Sequence, residues 1–405
     1  MIRRIEFENF MSLKSARIDL EPLTVFVGAN SAGKSAIFKG LVTLSKLLGG
    51  GALRGPKGDF NLEPGVTFDD LVWSGNSGLP IRFRVWFEED TDDPGYTLEL
   101  AKRREGWSVV RERIRTADGW LEVDEDHPFT HETERRGTKT YEPPLRGALS
   151  YLVHPYAEDS VARPTIDPFV QLGERFGRSY RYRPSASDIA SFVSLPTEAG
   201  RSIYVQDNGR GVAAELQALS QGGKQDRETF SSIEAAVSKL FPHIRAIGFK
   251  SDRQGVRLSY LTDRSEDPIP GPQESDGVLL ATFLFWRLYT GSTSMTVCLE
   301  EPENGLHGFL LAERFQALKM FAYGEQGRPR VQILVATHSP EFLRALKAHP
   351  KALWKQLRIV KFSPGAGTSV KGISNYPEVT HLIEEYLTKV HEEWEPIVKG
   401  WAAGQ

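Results

Sequence analysis

Cysteine is nearly absent from this sequence of 405 residues, with Cys298 as its single occurrence. One cysteine excludes an intramolecular disulfide and a cysteine-based zinc site, and it fits a reducing compartment. Cys298 itself lies in an apolar run and is expected to be a core residue.

The sequence also lacks an excess of charge and long apolar runs. Its 50 Lys and Arg residues against 53 Asp and Glu residues give a formal net charge of −3, so any nucleic-acid surface must be local. No stretch approaches the roughly 18 continuous apolar residues of a membrane span, and residues 1–6 lack the apolar region of a signal peptide. We therefore expect a cytoplasmic protein that does not enter the membrane.

What the sequence does contain is a phosphate-binding loop, within residues 23–35. Gly28, Gly33, Lys34 and Ser35 have the G-x-x-x-x-G-K-[ST] spacing after an apolar strand, and residues 36–48 have apolar positions at helical spacing. Such a loop turns its backbone N–H groups around an anion at the positive end of a helix. The predicted nucleotide contacts are Asn30, Ser31, Ala32, Gly33, Lys34, Ser35 and Ala36, with Lys34 on the β- and γ-phosphates and Ser35 on Mg²⁺.

The rest of the chain alternates between regular and irregular patterns. Strands are predicted at 2–8 and 15–20, an antiparallel meander at 81–88, 96–102, 107–114 and 120–123, and an irregular insertion at 124–200. Further on, helices are predicted at 211–221, 228–240, 277–290, 308–323 and 378–395, and strands at 244–250, 256–261, 296–299, 331–336, 357–362 and 369–373.

An apolar strand at 296–299 ends in two acids, Glu300 and Glu301. Ligands of parallel α/β sheets bind at the carboxyl ends of the strands, so these carboxylates are expected beside the phosphate loop. One acid would hold Mg²⁺ through water, and the other would orient or deprotonate an attacking water. The alternative is a strand with a solvated acidic end.

A second buried strand, residues 331–336, delivers His338 to the same edge. A neutral imidazole there can hydrogen-bond to a γ-phosphate and sense its presence. In the alternative interpretation, Thr337 or Ser339 caps the following helix and the histidine is incidental. Both can hold together.

Residues 274–277, Glu-Ser-Asp-Gly, directly precede the helix predicted at 277–290. A serine and a glycine at a helix start form another anion site, far away in sequence from the phosphate loop. This arrangement suggests a nucleotide site completed by a second copy of the chain. By itself this signal is weak, because a serine at this position is more often just an N-cap.

Together, the phosphate loop, Ser-x-Gly before a helix, the strand with Glu-Glu and the strand with His resemble the ABC-type ATPase heads of the SMC, RecF and OLD group. The runs that carry the resemblance are 5–10, 28–35, 274–277 and 300–307. The resemblance implies an α/β P-loop NTPase fold of ABC-ATPase type with an N-terminal antiparallel β subdomain and an inserted irregular or helical region. Its expected parts are an N-terminal lobe at 1–123, an insertion at 124–243 and a C-terminal lobe at 244–405.

The resemblance also implies a role for each site residue. Glu300, where many relatives have aspartate, would hold Mg²⁺, Glu301 would be the catalytic base and His338 the switch histidine. Ser275 and Gly277 would act on the ATP of the other protomer in a head-to-head dimer, with residues 304–307 across the same interface. No glutamine stands out for the Mg²⁺-sensing loop after the first helix, where Asp69 or Asp70 is nearest in sequence.

Some members of the group fit less well. SMC-type proteins insert long coiled coils, whereas the middle of this chain has about 240 residues without heptads. OLD nucleases add a nuclease domain, whereas about 65 residues follow His338, too few for an ordinary domain. The sequence thus favours a stand-alone head similar to RecF-like repair ATPases or PtuA-type anti-phage ATPases, with a separately encoded effector such as a nuclease.

The first functional hypothesis is an ATP hydrolase whose dimerisation, as a homodimer or larger homo-oligomer, senses or holds DNA or controls that effector. Residues 174–183 interleave four arginines with aromatic residues and could contact DNA, although a solvated loop or a protein interface explains them as well. The alternative hypothesis is a nucleotide-dependent scaffold with negligible turnover. A transporter subunit is a distant third.

Overall fold

A computed structural model describes most of the chain. The described residues are 1–48, 66–103, 106–116, 119–124, 129–133, 137–141, 179–194, 205–291, 295–303, 308–325, 328, 330–338 and 354–372. The predicted helix at 378–395, residues 304–307 and Ser339 lie outside them.

The described chain contains seventeen strands and seven α-helices. The strands are β1 Ile2–Phe10, β2 Leu13–Asp19, β3 Leu23–Val27, β4 Ile81–Phe87, β5 Tyr96–Arg103, β6 Gly106–Thr116, β7 Gly119–Asp124, β8 Phe129–Thr133, β9 Gly137–Tyr141, β10 Ser179–Tyr182, β11 Ile244–Asp252, β12 Gly255–Thr262, β13 Ser265–Pro270, β14 Thr296–Glu300, β15 Gln332–Thr337, β16 Leu357–Ser363 and β17 Gly367–Gly372. The helices are α1 Lys34–Leu48, α2 Phe68–Leu71, α3 Ala186–Ile189, α4 Val212–Gln221, α5 Lys224–Leu240, α6 Asp276–Tyr289 and α7 Gly308–Tyr323.

The first sheet is antiparallel, with the strand order β2-β1-β4-β5-β6-β7. Its last four strands form the meander that alternation of apolar and charged residues predicted. The first hairpin joins this meander through β1 and β4, where Ile5 pairs with Val85. Ile5 and Phe7 alternate with charged residues and are fully buried, so one face of the sheet packs into the core.

The second sheet carries the nucleotide motifs and has the order β10-β14-β15-β3-β16-β17. Its first five strands are parallel, and every residue of β3, β14 and β15 is buried. Such apolar strands must be covered on both faces. Helix α1 packs on one face, between the two sheets, so closely that a Cβ on Gly40 would lie 2.3 Å from the ring of Phe7. Helices α6 and α7 contribute to the core on the other face.

The structure corrects the prediction that 124–200 is irregular throughout. Strands β8 and β9 pair antiparallel, and β10 lies parallel to β14 at the edge of the central sheet. Strand β10 escaped prediction because it is only four residues long, Ser-Tyr-Arg-Tyr, and lacks the continuous apolar run that is typical of strands in a parallel sheet. The boundaries at 123 and 243 stay a prediction.

A third, three-stranded antiparallel sheet, β11-β12-β13, precedes α6. Its buried residues Val256, Leu258 and Tyr260 share a core with α4, α5 and α6. Within the ranges that the structure describes, no helix is long and apolar enough to cross a membrane.

Candidate nucleotide-binding site

The phosphate loop runs from the end of β3 to the start of α1, as its motif predicted. Gly33 has φ +104°, in the left-handed region that favours glycine, and a Cβ there would lie 2.1 Å from Thr368 Oγ1. Thr368 belongs to β17 and donates a hydrogen bond of 2.9 Å to the carbonyl of Ala32. The C-terminal hairpin β16–β17 therefore holds the loop, which local sequence did not indicate.

The side chain of Lys34 lies over its own loop. Its Nζ donates to the carbonyl oxygens of Gly28, at 2.7 Å, and Ala29, at 2.8 Å. Burial lowers the pKa of Lys34, whereas the carboxylates of Glu301, Glu300 and Glu303 act in the opposite direction. The loop lysine thus lies within the electrostatic field of the acids at the end of β14.

The first of those acids, Glu300, is almost fully buried. Strand register places it opposite Ala336 of β15, which in turn lies opposite Phe26 of β3. Its two carboxylate oxygens accept hydrogen bonds from Arg181 Nε at 2.7 Å and Arg181 Nη2 at 3.2 Å. Sequence reasoning missed this partner, because Arg181 belongs to the strand that it did not predict.

Glu301 lies where the chain leaves β14 in a left-handed conformation, with φ +48°. Its N–H donates to the carbonyl of Ala336 at 2.9 Å, which continues the pairing with β15. One carboxylate oxygen lies 3.4 Å from Nδ1 of His338, and the other lies 3.5 Å from Nη2 of Arg183. The structure thus brings together the two residues predicted to be catalytic.

Glu303 is a further acid at this edge that the sequence analysis did not single out. Its side chain is buried, and one carboxylate oxygen accepts a hydrogen bond from the hydroxyl of Thr337. The other oxygen has no hydrogen-bond partner among the described residues. Burial raises the pKa of Glu303, although the bond from Thr337 acts in the opposite direction. The only sequence signal was a third acid two residues after Glu301.

Replacement of Glu303 by glutamine is expected to stabilise the fold at alkaline pH. Folding raises the pKa of this carboxyl, so the unfolded chain ionises at a lower pH than the folded chain does. The stability of the fold therefore falls as the pH rises from the pKa in the unfolded chain through the pKa in the folded chain. The amide oxygen of the introduced glutamine would still accept from Thr337 without that penalty. Thermal melts should show a rise of about 1–2 °C at pH 8 and a smaller change near pH 4. An equal shift at both pH values would contradict this assignment.

Ser275 caps helix α6, so the interpretation of this serine as an N-cap is confirmed. Its Oγ accepts from the N–H of Val278 at 3.4 Å, and its own N–H donates to Glu274 at 2.9 Å. The Glu274 carboxylate also lies 3.7 Å from Nε2 of His243. Ser275 is exposed and Gly277 is buried. Their action on a second protomer's nucleotide stays a prediction.

The remaining predicted contacts differ in exposure. Asn30, Ser31 and Ser35 are exposed, whereas Ala32 and Ala36 have buried side chains and could offer only backbone groups to a phosphate. The tight turn at Gly33 and the lysine over the loop fit a nucleotide's phosphates. In the part of the chain that the structure describes, no three His, Cys, Asp or Glu residues could hold a metal ion together. A donor set of Ser35 and one acid suits Mg²⁺, which takes further oxygens from phosphate and water.

Asp69 and Asp70 both interact with residues outside the phosphate loop. Asp69 forms an ion pair of 2.6 Å with Lys102, and Asp70 accepts from the N–H of Thr67 at 2.8 Å in the capping box of α2. Their assignment to Mg²⁺ sensing stays a prediction. The loop that emerges beside Glu301 is the one after β10, where Arg183 stands.

Within β10, the arginine and tyrosine run at 174–183 does not form an open basic surface, although Arg183 just after the strand is 65% exposed. Tyr182 is 2% exposed, and Arg181 is paired with the buried Glu300. Aromatic rings and arginines that stack on bases and pair with phosphates must be accessible. These residues therefore belong to the sheet of the nucleotide site. Residues 174–178 lie outside the described chain.

A family model described as "AAA domain, putative AbiEii toxin, Type IV TA system" matches residues 23–344. Among proteins of curated function, none matches the sequence.

Several solved structures are similar to this chain, and one of them reaches a TM-score of 0.50. The Smc head domain of Pyrococcus furiosus with an extended coiled coil, bound to the C-terminal domain of ScpA, has a TM-score of 0.50 at 11% identity, covering 95% of this chain and 98% of that one. An SMC head bound to the C-terminal winged-helix domain of ScpA has a TM-score of 0.49 at 15% identity, with coverage of 94% and 99%. The SMC head of Thermotoga maritima has a TM-score of 0.38 at 12% identity, with coverage of 92% and 99%.

Proposed function

The chain belongs to the AAA-domain family whose model matches most of its length, and from this premise we propose that it is an ATPase head of SMC and ABC type that binds and hydrolyses ATP with Mg²⁺. The observation that carries the proposal is the convergence of Lys34, Glu301 and His338 at one edge of the parallel sheet. Hydrolysis needs a cation for the phosphates and a carboxylate for the attacking water, and both are present there.

The loop would bind the phosphates through its backbone N–H groups and the ammonium of Lys34. Ser35 and Glu300 are the residues that would hold Mg²⁺, which when bound neutralises charge on the β- and γ-phosphates. Glu301 would orient the attacking water and accept its proton. His338 and Arg183 lie 3.4 and 3.5 Å from its two carboxylate oxygens. His338 would hydrogen-bond to the γ-phosphate.

We further propose that Ser275 and Gly277 contact the nucleotide of a second copy in a head-to-head dimer. The support is that Ser275 is exposed at the N-terminal end of a helix of 14 residues and makes its hydrogen bonds locally, with Glu274, Val278 and Leu279. A helix N-terminus with free surface favours an anion. The homodimer would then have two composite sites.

Replacement of Ser275 by arginine tests the dimer. The bulky side chain should block the second protomer, so ATP·Mg²⁺ should raise the mass of the wild type, measured by light scattering, and leave that of Ser275→Arg unchanged. Because the variant should not dimerise, its phosphate release should also be lower than that of the wild type. Asp267→Arg, on the exposed β13 strand, is the matched control and should dimerise normally. An ATP-induced dimer of Ser275→Arg would refute the composite site.

For the biological role, only the class of system is proposed. The family's description, a putative toxin of a type IV toxin–antitoxin system, supports an ATPase that acts with a separately encoded partner. Anti-phage defence or DNA repair as the setting rests on the sequence resemblance alone. That partner would be an effector such as a nuclease. DNA binding stays a prediction, and the residues of β10 are not proposed as its contacts.

A nucleotide-dependent scaffold with negligible turnover is the second candidate. It is favoured by the pairing of both Glu300 oxygens with Arg181, since a first acid engaged in this way is less available to Mg²⁺. ATP turnover separates the two candidates, because Glu301→Gln should lose it in a hydrolase and should change nothing in a scaffold.

A further inference from the structure

Strand β10 presents different chemistry on its two faces. Tyr180 and Tyr182 stack with ring centroids 6.0 Å apart, and Tyr182 packs edge-on against Phe283 of α6. The guanidinium of Arg287, also on α6, lies 4.4 Å from the ring centre of Tyr180. Because side chains alternate along a strand, Arg181 extends from the opposite face. The aromatic contacts with α6 therefore fix the strand that carries this arginine.

Arg181 and Glu300 form a pair that is largely removed from water. Their side chains are 19% and 7% exposed, and the guanidinium donates to both carboxylate oxygens. Bidentate pairs of this kind are strong and directional, and a buried carboxylate that loses its partner is costly. Glu300 therefore needs a counter-charge at all times.

The same carboxylate is the acid that would hold Mg²⁺. An arginine on both of its oxygens already offsets its negative charge, so the attraction that a cation feels there is reduced. Arg183, two residues further on, contacts Glu301 at 3.5 Å but is 65% exposed, so water screens its charge. The buried arginine and a bound Mg²⁺ would thus compete for one carboxylate.

We propose that Arg181 is a resident counter-ion of Glu300 that Mg²⁺ must displace or offset, so that this arginine sets the Mg²⁺ concentration needed to hold the nucleotide. The inference rests on the proposed ATP site. It makes β10 a positioning element of that site, connected through Tyr182 and Phe283 to helix α6, which Ser275 caps.

The test is the Mg²⁺ dependence of binding of a fluorescent ATP analogue, without turnover. In Arg181→Gln, the midpoint of the Mg²⁺ titration should fall by about fivefold or more, because the metal no longer competes for Glu300. Affinity in EDTA should also fall, since a positive charge near the phosphates is lost. Arg245→Gln, which changes an exposed arginine of β11, is the matched control, and its midpoint should stay within about twofold of the wild type because its charge is screened by water.

Glu300→Gln provides a second measurement that does not depend on the folding of Arg181→Gln. It leaves Arg181 without its carboxylate, so analogue binding in EDTA should tighten and the gain on adding Mg²⁺ should shrink. Equal Mg²⁺ midpoints in Arg181→Gln and the wild type, or a Glu300→Gln variant that binds the analogue in EDTA no better than the wild type, would overturn the inference. A wild type that binds no analogue at any Mg²⁺ concentration would instead refute the proposed ATP site.

Discussion

Replacement of Glu301 by glutamine is expected to lower steady-state ATP turnover by about 10²–10⁴-fold, the contribution of a positioned general base. The amide has the shape of the carboxylate and can still contact His338 and Arg183, but it cannot accept the proton of the attacking water. ATP should therefore bind with near-normal affinity and hold the dimer together. Phosphate release and equilibrium binding of ATP, measured on the same preparation, check the two halves of this expectation.

A distant substitution of the same kind provides the control. Glu266, exposed on β13, can be changed to glutamine with no expected effect on turnover. If Glu301→Gln hydrolyses ATP as fast as the wild type, Glu301 is not the base. If the wild type itself assembles with ATP but releases no phosphate, and the variant assembles identically, the scaffold is the better description.

Replacement of Lys34 by alanine is expected to weaken ATP binding by about 10- to 100-fold, because charged hydrogen bonds to phosphate are worth about 1.5–3 kcal/mol. In the structure the ammonium donates to two loop carbonyls, so the variant also loses bonds that shape the loop. ATP-dependent dimerisation and phosphate release should fall together. Isothermal titration with ATP and Mg²⁺ measures the affinity directly.

The matched control is Lys46→Ala, which removes the same charge from the last turn of the same helix. Its affinity for ATP should be close to that of the wild type. Unchanged ATP binding by Lys34→Ala would mean that the loop does not hold the phosphates, and the proposed ATPase would fail with it.

Local pattern was enough to predict most of the described elements. The meander, α1, α7 and the strands before Glu300 and His338 have continuous or strictly periodic apolar patterns, and the structure places them within a few residues of the predicted bounds. The α/β fold of P-loop ATPase type is confirmed by the family match. The motif also specified the phosphate loop, because its glycines and lysine lie within eight residues.

Contacts between remote residues could not be predicted in this way. Arg181 meets Glu300 across 119 positions, and Thr368 meets Ala32 across 336, so no window of sequence contains both partners. Thr337 and Glu303 are on neighbouring segments whose register only the assembled sheet defines. Each of these pairs joins polar groups, for which apolar periodicity gives no signal.

The sequence alone determined the strand, loop and helix of the phosphate-loop motif, and the acids and histidine at the ends of two buried strands. Those features depend on spacing of a few residues, which the backbone imposes locally. Tertiary structure decided which charges face each other: Arg181 on Glu300, Glu301 between His338 and Arg183, and Glu303 buried against Thr337. Parallel pairing of β10, β14 and β15 brings these groups to one edge of the sheet. Where they are buried there, water screens their charges less, so the charges interact more strongly.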